Sequence, residues 1–332
     1  MADPILEIRG LRLSIRTDEG IAQVLDHIDF TLERGRILGL VGESGCGKST
    51  VIRAIIGILP AGARIEAGTI RFNGEDLLEL GEHELNTRIR GSRISFIPQD
   101  PYLALNPVFK VGSQLLEIMR WHAPDSSTRR GRDKRHRDRI VALLRRVQLP
   151  DPEAALERYP HQFSGGQRQR LVIAAALATA PALVIADEPT TALDVTTQQQ
   201  ILDLLRELAV EFGLSMLFVT HDLGVVAQLC DDLCVIYAGQ LVESGNTAEL
   251  LARPRHPYTK ALLACHPDRA VAFSGIPGTV PSPLHAGSGC RFAPRCRDVR
   301  GLCVTRRPHL IVDRSGRRVD CVLYDMPERV TT

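Results

Sequence analysis

Gly42-Glu43-Ser44-Gly45-Cys46-Gly47-Lys48-Ser49 carries the spacing G-x-x-x-x-G-K-[ST], which is chemistry for holding a polyphosphate. Its glycines let backbone N–H groups turn toward phosphate oxygens, and a helix beginning there adds its positive N-terminal end. Lys48 is expected to reach the β- and γ-phosphates of a nucleotide, and the Ser49 hydroxyl to ligate Mg²⁺. Cys46 contributes its backbone, and its thiol is incidental. A second group, Asp187-Glu188, ends the apolar run Leu183-Val184-Ile185-Ala186 and precedes Pro189. Asp187 is placed to orient Mg²⁺ and its waters. Glu188 then acts as general base or polarises the attacking water. A third, Ser164-Gly165-Gly166-Gln167, sets a serine and two glycines at a helix start, where N–H and O–H donors face an anion.

The cysteines divide into two sets. Cys46, Cys230, Cys234 and Cys265 are scattered, whereas Cys290, Cys296, Cys303 and Cys321 follow the spacing C-x5-C-x6-C-x17-C. In a reducing compartment a disulfide framework is not expected, so the cluster reads first as a metal site. Four thiolates suit a [4Fe–4S] cluster and equally tetrahedral zinc. The spacing is not the C-x2-C of zinc ribbons and does not decide the metal; unligated thiols are the third alternative. Arg291, Arg295 and Arg297 either offset a cluster's negative charge or are surface arginines.

The elements that must position these groups follow from hydrophobic period. Residues 5–13 alternate as a half-buried strand does, and Ile37–Val41 is a continuous apolar run suited to a strand covered on both faces. A helical pattern follows at about 48–58. Strand patterns recur at 93–97, 182–186, 216–220 and 233–237, and helical period at 195–212. Strands alternating with helices imply a parallel α/β sheet. Between Gln99 and Ser164 the pattern is mainly helical. It includes the basic run Arg129–Arg139, read as a solvated helix face. From about Arg253 onward prolines, glycines and arginines become frequent, marking a separate C-terminal region.

Composition bounds the class. A chain of 332 residues is long enough for a sizeable core, and 44% hydrophobic with 24% charged residues is ordinary for a globular protein. A net charge of +2 argues neither for nor against a nucleic-acid partner, since affinity there needs a concentrated basic face. The start, Met1–Arg9, lacks the basic end and apolar core of a signal peptide, so a cytoplasmic protein is expected. The longest apolar run, Leu171–Ala186, is shorter than the roughly 20 residues that span a bilayer and is interrupted by Thr179 and Pro181. It reads as a helix and then a strand, and any membrane role passes through a partner.

Taken in order, these segments resemble the ATP-binding cassette (ABC) ATPases over about residues 5–250. Gln99 after the 93–97 strand is similar to their Q-loop and Ser164–Gln167 to their signature. Thr191-Ala192-Leu193-Asp194 is similar to their D-loop and His221 to their H-loop. The resemblance implies an α/β P-loop cassette with a RecA-like parallel sheet core, an antiparallel β subdomain and a helical insert. It implies that Gly42–Ser49 with Thr50 bind ATP. Gln99 touches Mg²⁺ or water, His221 contacts the γ-phosphate, and Asp194 reaches across a dimer. Ser164 and Gly166 close over the nucleotide of the opposite chain. One departure is visible. The family stacks adenine on an aromatic residue ahead of the phosphate loop, and Leu11–Val24 holds none. Ile15 or Arg16 is the expected replacement. Phe163, where the family commonly has Leu, is a mild apolar swap.

His256-Pro257-Tyr258-Thr259 and Gln99–Pro107 are similar to segments of the oligopeptide and dipeptide importers in that family. This implies a nucleotide-binding domain at 1–254, with a helical subdomain at about 100–163, and a C-terminal extension at 255–332. In that family the extension's cysteines bind a [4Fe–4S] cluster, here Cys290, Cys296, Cys303 and Cys321. The implied function is the ATPase subunit of an importer for short peptides or related solutes. It lies at the cytoplasmic face of the inner membrane, with a second, paralogous ATPase chain, two permease subunits and an extracytoplasmic solute-binding protein. The alternative is a soluble ABC ATPase acting on nucleic acid or the ribosome, which usually shows long coiled coils, zinc hooks or two cassettes per chain.

Overall fold

A computed structural model describes residues 4–123, 129–191, 193–265, 275–308, 310–313 and 315–324. Met1–Asp3, Ala192 of the Thr191–Asp194 segment, the side chains of Arg129 and Arg130 in the basic run, and the last eight positions lie outside the described residues. The strands in chain order are β1 Pro4–Thr17, β2 Gly20–Glu33, β3 Ile37–Val41, β4 Ala63–Phe72, β5 Glu75–Asp76, β6 Ile94–Ile97, β7 Leu183–Asp187, β8 Ser215–Thr220, β9 Asp232–Tyr237, β10 Gln240–Asn246, β11 Leu310–Val312 and β12 Arg318–Asp320. The chain divides into two compact units, Met1–Leu78 with Val219–Thr332, and Glu79–Phe218.

In the first unit an antiparallel sheet runs β2-β1-β4-β5, and a second set runs β11-β12-β10-β9-β3. β3 pairs with β9 in parallel, Leu40 opposite Cys234. Every residue of β3 is buried, as its unbroken apolar run predicts. Sequence pattern did not reveal β2. Its alternation is broken at Asp26-His27, where His27 takes a positive φ of 54° and the register with β1 shifts between Leu11 and Leu13. The C-terminal segment adds to the same set of strands, with Val319 of β12 opposite Glu243 of β10. Glu243 is fully buried and fully used: its carboxylate accepts from Arg317 at 2.5 Å and from the backbone N–H groups of Arg255 and His256 at 2.8 and 3.0 Å. A buried carboxylate persists only with such partners, so this one residue ties the chain after β10 to the strands that follow it.

The second unit holds β8-β7-β6, with β6 parallel to β7; the last two residues of β8 belong to the first unit. The segment between Gln99 and Ser164 is mainly helical as expected, through Val111–His122 and Arg129–Arg146, and Gly165–Leu177 follows it. In the basic run Lys134, Arg135, Arg137 and Arg139 are exposed, a solvated face, while His136 turns inward. The apolar run Leu171–Ala186 resolves into the helix Gly165–Leu177 and then β7. Among the described residues no helix is long and apolar enough to cross a membrane.

Gly68 marks a bulge where β4 crosses β1. Its φ is +101°, and a Cβ there would lie 2.6 Å from Leu11 Cα and 2.7 Å from Arg9 O. Gly68→Ala is expected to lower stability by about 2–4 kcal/mol, because backbone on both sides leaves no room to relax. Urea denaturation measures this, and an unchanged midpoint with an unchanged slope refutes the bulge geometry.

Candidate functional site

The phosphate loop lies between β3 and the helix Lys48–Ile56, as its context demands. Gly45 and Gly47 take φ of +76° and +103°, the left-handed region that lets successive N–H groups face one side. Gly42 answers a different constraint: a Cβ there would fall 2.2 Å from Ile236 O. The loop's far end is held by β9 and β10, since Gly239 N–H donates to Cys46 O at 2.8 Å. Cys46 is buried and its thiol pushed up by burial, an inert filler beneath the loop. Lys48 folds over the loop, its Nζ donating to Gly42 O at 2.7 Å and Glu43 O at 3.1 Å. Gly47 caps the helix without any side-chain bond, while Ser49 and Thr50 occupy its first turn. The N–H groups of the helix start and the lysine together form a donor set that fits a nucleotide's phosphates.

In the second unit β7 ends at Asp187, and the next residue, Glu188, takes a positive φ of 45°. A non-glycine residue rarely holds that conformation at a strand end without support. Support comes from two donors to one carboxylate oxygen: Gln99 Nε2 at 3.2 Å and Thr191 Oγ1 at 3.1 Å reach Glu188 Oε2. Gln99 and Glu188, 89 positions apart in sequence, are thus brought together. Thr191 is a member of the site that sequence reasoning passed over as part of a loop motif.

Ser164 begins the helix Gly165–Leu177 through a reciprocal cap. Ser164 Oγ accepts from Gln167 N–H at 3.3 Å, and Ser164 N–H donates to Gln167 Oε1 at 3.1 Å. Gln167 therefore serves the cap of its own helix. Gly166 packs on the next helix, Val195–Phe212: a Cβ there would lie 2.6 Å from Thr197 Cγ2. Thr197 is in turn held by Asp194, whose carboxylate accepts from Thr197 N–H at 3.0 Å and Oγ1 at 2.7 Å. Those bonds, the backbone one first, lower the Asp194 pKa. Within one chain Asp194 is a helix cap that positions the Ser164–Gln167 segment. His221 follows β8 and is exposed. Ile15 is half-buried in β1 and Arg16 is exposed beside it, its N–H donating to Gly62 O.

The C-terminal cysteines share one corner. Cys290 N–H donates to Cys303 O at 2.8 Å, and Cys290 packs on a small core of Ala293, Cys303 and Val322. Burial pushes the Cys290 thiol up to about 11, with the thiols of Cys303, Cys321 and Cys296 acting in the same direction. Burial also raises Cys296 and Cys321. Yet among the described residues no three His, Cys, Asp or Glu side chains stand where they could hold a metal ion. The expected ligand set is gathered without being assembled. The arginines correct a second expectation. Arg291 and Arg295 are neither surface residues nor charge partners of the thiols. The Arg291 guanidinium donates to Ala238 O and to Gln23 O at 3.1 Å, and that of Arg295 pairs with Glu43.

Residues 25–191 match the family model described as ABC transporter, and residues 242–303 match that of the oligopeptide/dipeptide transporter C-terminal region. The chain is similar to a probable peptide ABC transporter ATP-binding protein of Sinorhizobium fredii, 43% identical over 96% of this chain and 95% of the relative. It is likewise similar to a probable D,D-dipeptide transport ATP-binding protein of Escherichia coli K12, 43% identical over 91% of this chain and 92% of the relative. Among solved structures it resembles the dimeric bacterial ABC transporter cassette MJ0796 with a TM-score of 0.63 and 25% identity, covering 73% of this chain and 98% of that one.

Gly166→Ala is expected to cost about 1–3 kcal/mol by driving a methyl into Thr197. Thr197→Ser, which removes the opposing methyl, is expected to restore most of the loss in a thermal melt. Equal melts for the wild-type and Gly166→Ala proteins contradict the close approach.

Proposed function

The chain belongs to the ABC transporter family of ATP-binding proteins, and from that premise we propose that it is the ATP-hydrolysing subunit of an importer for dipeptides, oligopeptides or related solutes. One observation carries the catalytic half: Glu188, held in left-handed backbone by Gln99 and Thr191, follows Asp187 at the end of a buried strand. The C-terminal match and the similarity to peptide-transport relatives support the substrate class.

The phosphate loop Gly42–Ser49 with Thr50 binds the triphosphate through backbone N–H groups, and Lys48 moves from the Gly42 and Glu43 carbonyls to the β- and γ-phosphates. Ser49, Asp187 and Gln99 are the residues that would hold Mg²⁺, which would neutralise charge on the phosphates. Glu188 takes the proton of the attacking water, oriented by Gln99 and Thr191. His221 contacts the γ-phosphate. Ser164, Gly165 and Gly166 present donors to the nucleotide of a second cassette, with Gln167 and Asp194 holding that donor face in shape. The dimeric form of the related cassette supports two such chains closing on ATP. We take the second chain to be a paralogue.

Two permease subunits, fed by an extracytoplasmic solute-binding protein, complete the assembly at the cytoplasmic face of the inner membrane. Exposed apolar side chains just after Gln99 support a partner there: Leu103 is 85% and Val108 69% accessible. The chain's functional division is a nucleotide-binding domain at 1–254, with a helical subdomain at about 100–163, and an extension at 255–332. In the extension, Cys290, Cys296, Cys303 and Cys321 are the residues that would hold a metal centre, with [4Fe–4S] the proposed group and zinc the alternative.

Glu188→Gln is expected to retain ATP binding, to lower turnover by about 10²-fold or more, and to accumulate a closed dimer in the assembled complex. Undiminished hydrolysis by that variant removes Glu188 from the role of base. Co-purification with two membrane chains tests the transport assignment, and recovery without any permease counts against it. After anaerobic purification, iron and acid-labile sulfide in equal amounts are expected. Stoichiometric zinc without sulfide replaces the cluster, and absence of both ends the metal proposal.

A further inference from the structure

We propose that the C-terminal segment braces the phosphate loop through Glu43, and that Arg295 is a positioning residue for nucleotide binding. The proposal rests on the assignment of Gly42–Ser49 as the nucleotide site. Glu43 poses a physical problem, because a carboxylate in a loop that receives a polyanion repels its ligand. The structure draws that carboxylate aside. Arg295 Nη1 lies 2.8 Å from Glu43 Oε2 and Nη2 lies 3.2 Å from Oε1, a two-pronged pair spanning 252 positions of sequence. The arginine side chain is 4% exposed. Its remaining donors are also placed: Nε on Pro277 O at 2.9 Å, Nη1 on the Tyr237 hydroxyl at 3.2 Å, and Nη2 on Ile276 O at 2.7 Å. All five guanidinium donors have acceptors, so the fork holds one orientation.

A second contact grips the same residue by its backbone. Glu43 N–H donates to the Tyr258 hydroxyl at 2.9 Å, and Tyr258 is completely buried. Its helix, Pro257–Ala264, starts at a His256 cap: His256 Nδ1 accepts from Tyr258 N–H at 3.0 Å. Burial lowers the His256 pKa to about 3, so the ring is neutral and free to accept. Tyr258 also packs on Tyr237 and Phe292, with ring centroids 4.6 and 5.3 Å away, and Phe292 lies three positions before Arg295. The His256–Thr259 segment and the Cys290–Cys296 segment therefore converge on one residue of the loop, one holding its amide and the other its carboxylate. Bracing of this kind sets the loop before the ligand arrives, which favours binding without touching the reacting atoms.

The test is a cycle of Arg295→Ala, Glu43→Gln and the double variant, each in the complete transporter, with Lys48→Ala as a control for the site. Arg295→Ala is expected to raise the KM for ATP about tenfold with kcat little changed, since it leaves an uncompensated carboxylate in the loop. Against a Glu43→Gln background the loss on replacing Arg295 is expected to shrink severalfold, so that the double variant recovers most of the KM increase of Arg295→Ala alone. An unchanged KM in Arg295→Ala overturns the brace. So does an equal loss with and without Glu43, which a purely structural arginine produces. If Arg295→Ala does not assemble, Arg295→Lys with and without Glu43→Gln gives the same cycle, because lysine keeps charge and loses the two-pronged fit. Wild-type ATP binding that survives Lys48→Ala overturns the site assignment itself, whatever Arg295 does.

Discussion

A phosphate-binding loop works by pointing several backbone N–H groups at one place, and a chain left to itself does not hold that shape. Two glycines in left-handed conformation permit it here, but permission is not support. Support comes from neighbours distant in sequence. Gly239 N–H fixes Cys46 O from the β9–β10 turn, Tyr258 fixes the Glu43 amide, and Arg295 fixes the Glu43 carboxylate. Preorganised donors lose little freedom when an anion binds, so contacts that hold the loop in shape favour binding without touching the ligand.

The same logic governs the strand end at Asp187–Glu188. Glu188 is held in an unfavourable backbone conformation, and two side chains from different segments converge on one of its oxygens. Gln99 is both a partner of the Glu188 carboxylate and a near neighbour in sequence of exposed apolar side chains, Leu103 and Val108 among them. The Ser164–Gln167 segment follows a third pattern. Its cap is local, but Gly166 is required by the next helix, whose own start is set by Asp194.

Much of this was legible from sequence because it is local. Ile37–Val41 reads as a doubly covered strand from its apolar run, and the helix Val195–Phe212 from its period. The phosphate loop reads from glycine spacing. β2 was not legible, because two adjacent polar residues and a register shift break its alternation. Thr191 and Tyr258 were visible only as letters in a motif. Arg295 was misread, since one arginine among three near cysteines carries no sign of which carboxylate it meets 252 positions away.

The sequence by itself pointed to the candidate chemistry: a glycine spacing suited to phosphate and the carboxylates that end the buried strand. Glycine conformations, apolar runs and helix caps are properties of a few adjacent residues, so they survive reading in one dimension. Only the tertiary structure decided what holds the chemistry in place. It turned Arg295 and Tyr258 onto Glu43, gave Glu188 its donors, and gathered four thiols into one corner without the geometry of a ligand set. Those outcomes depend on distances between segments that no local pattern encodes, and on burial, which turns a surface charge into a partner that must be satisfied.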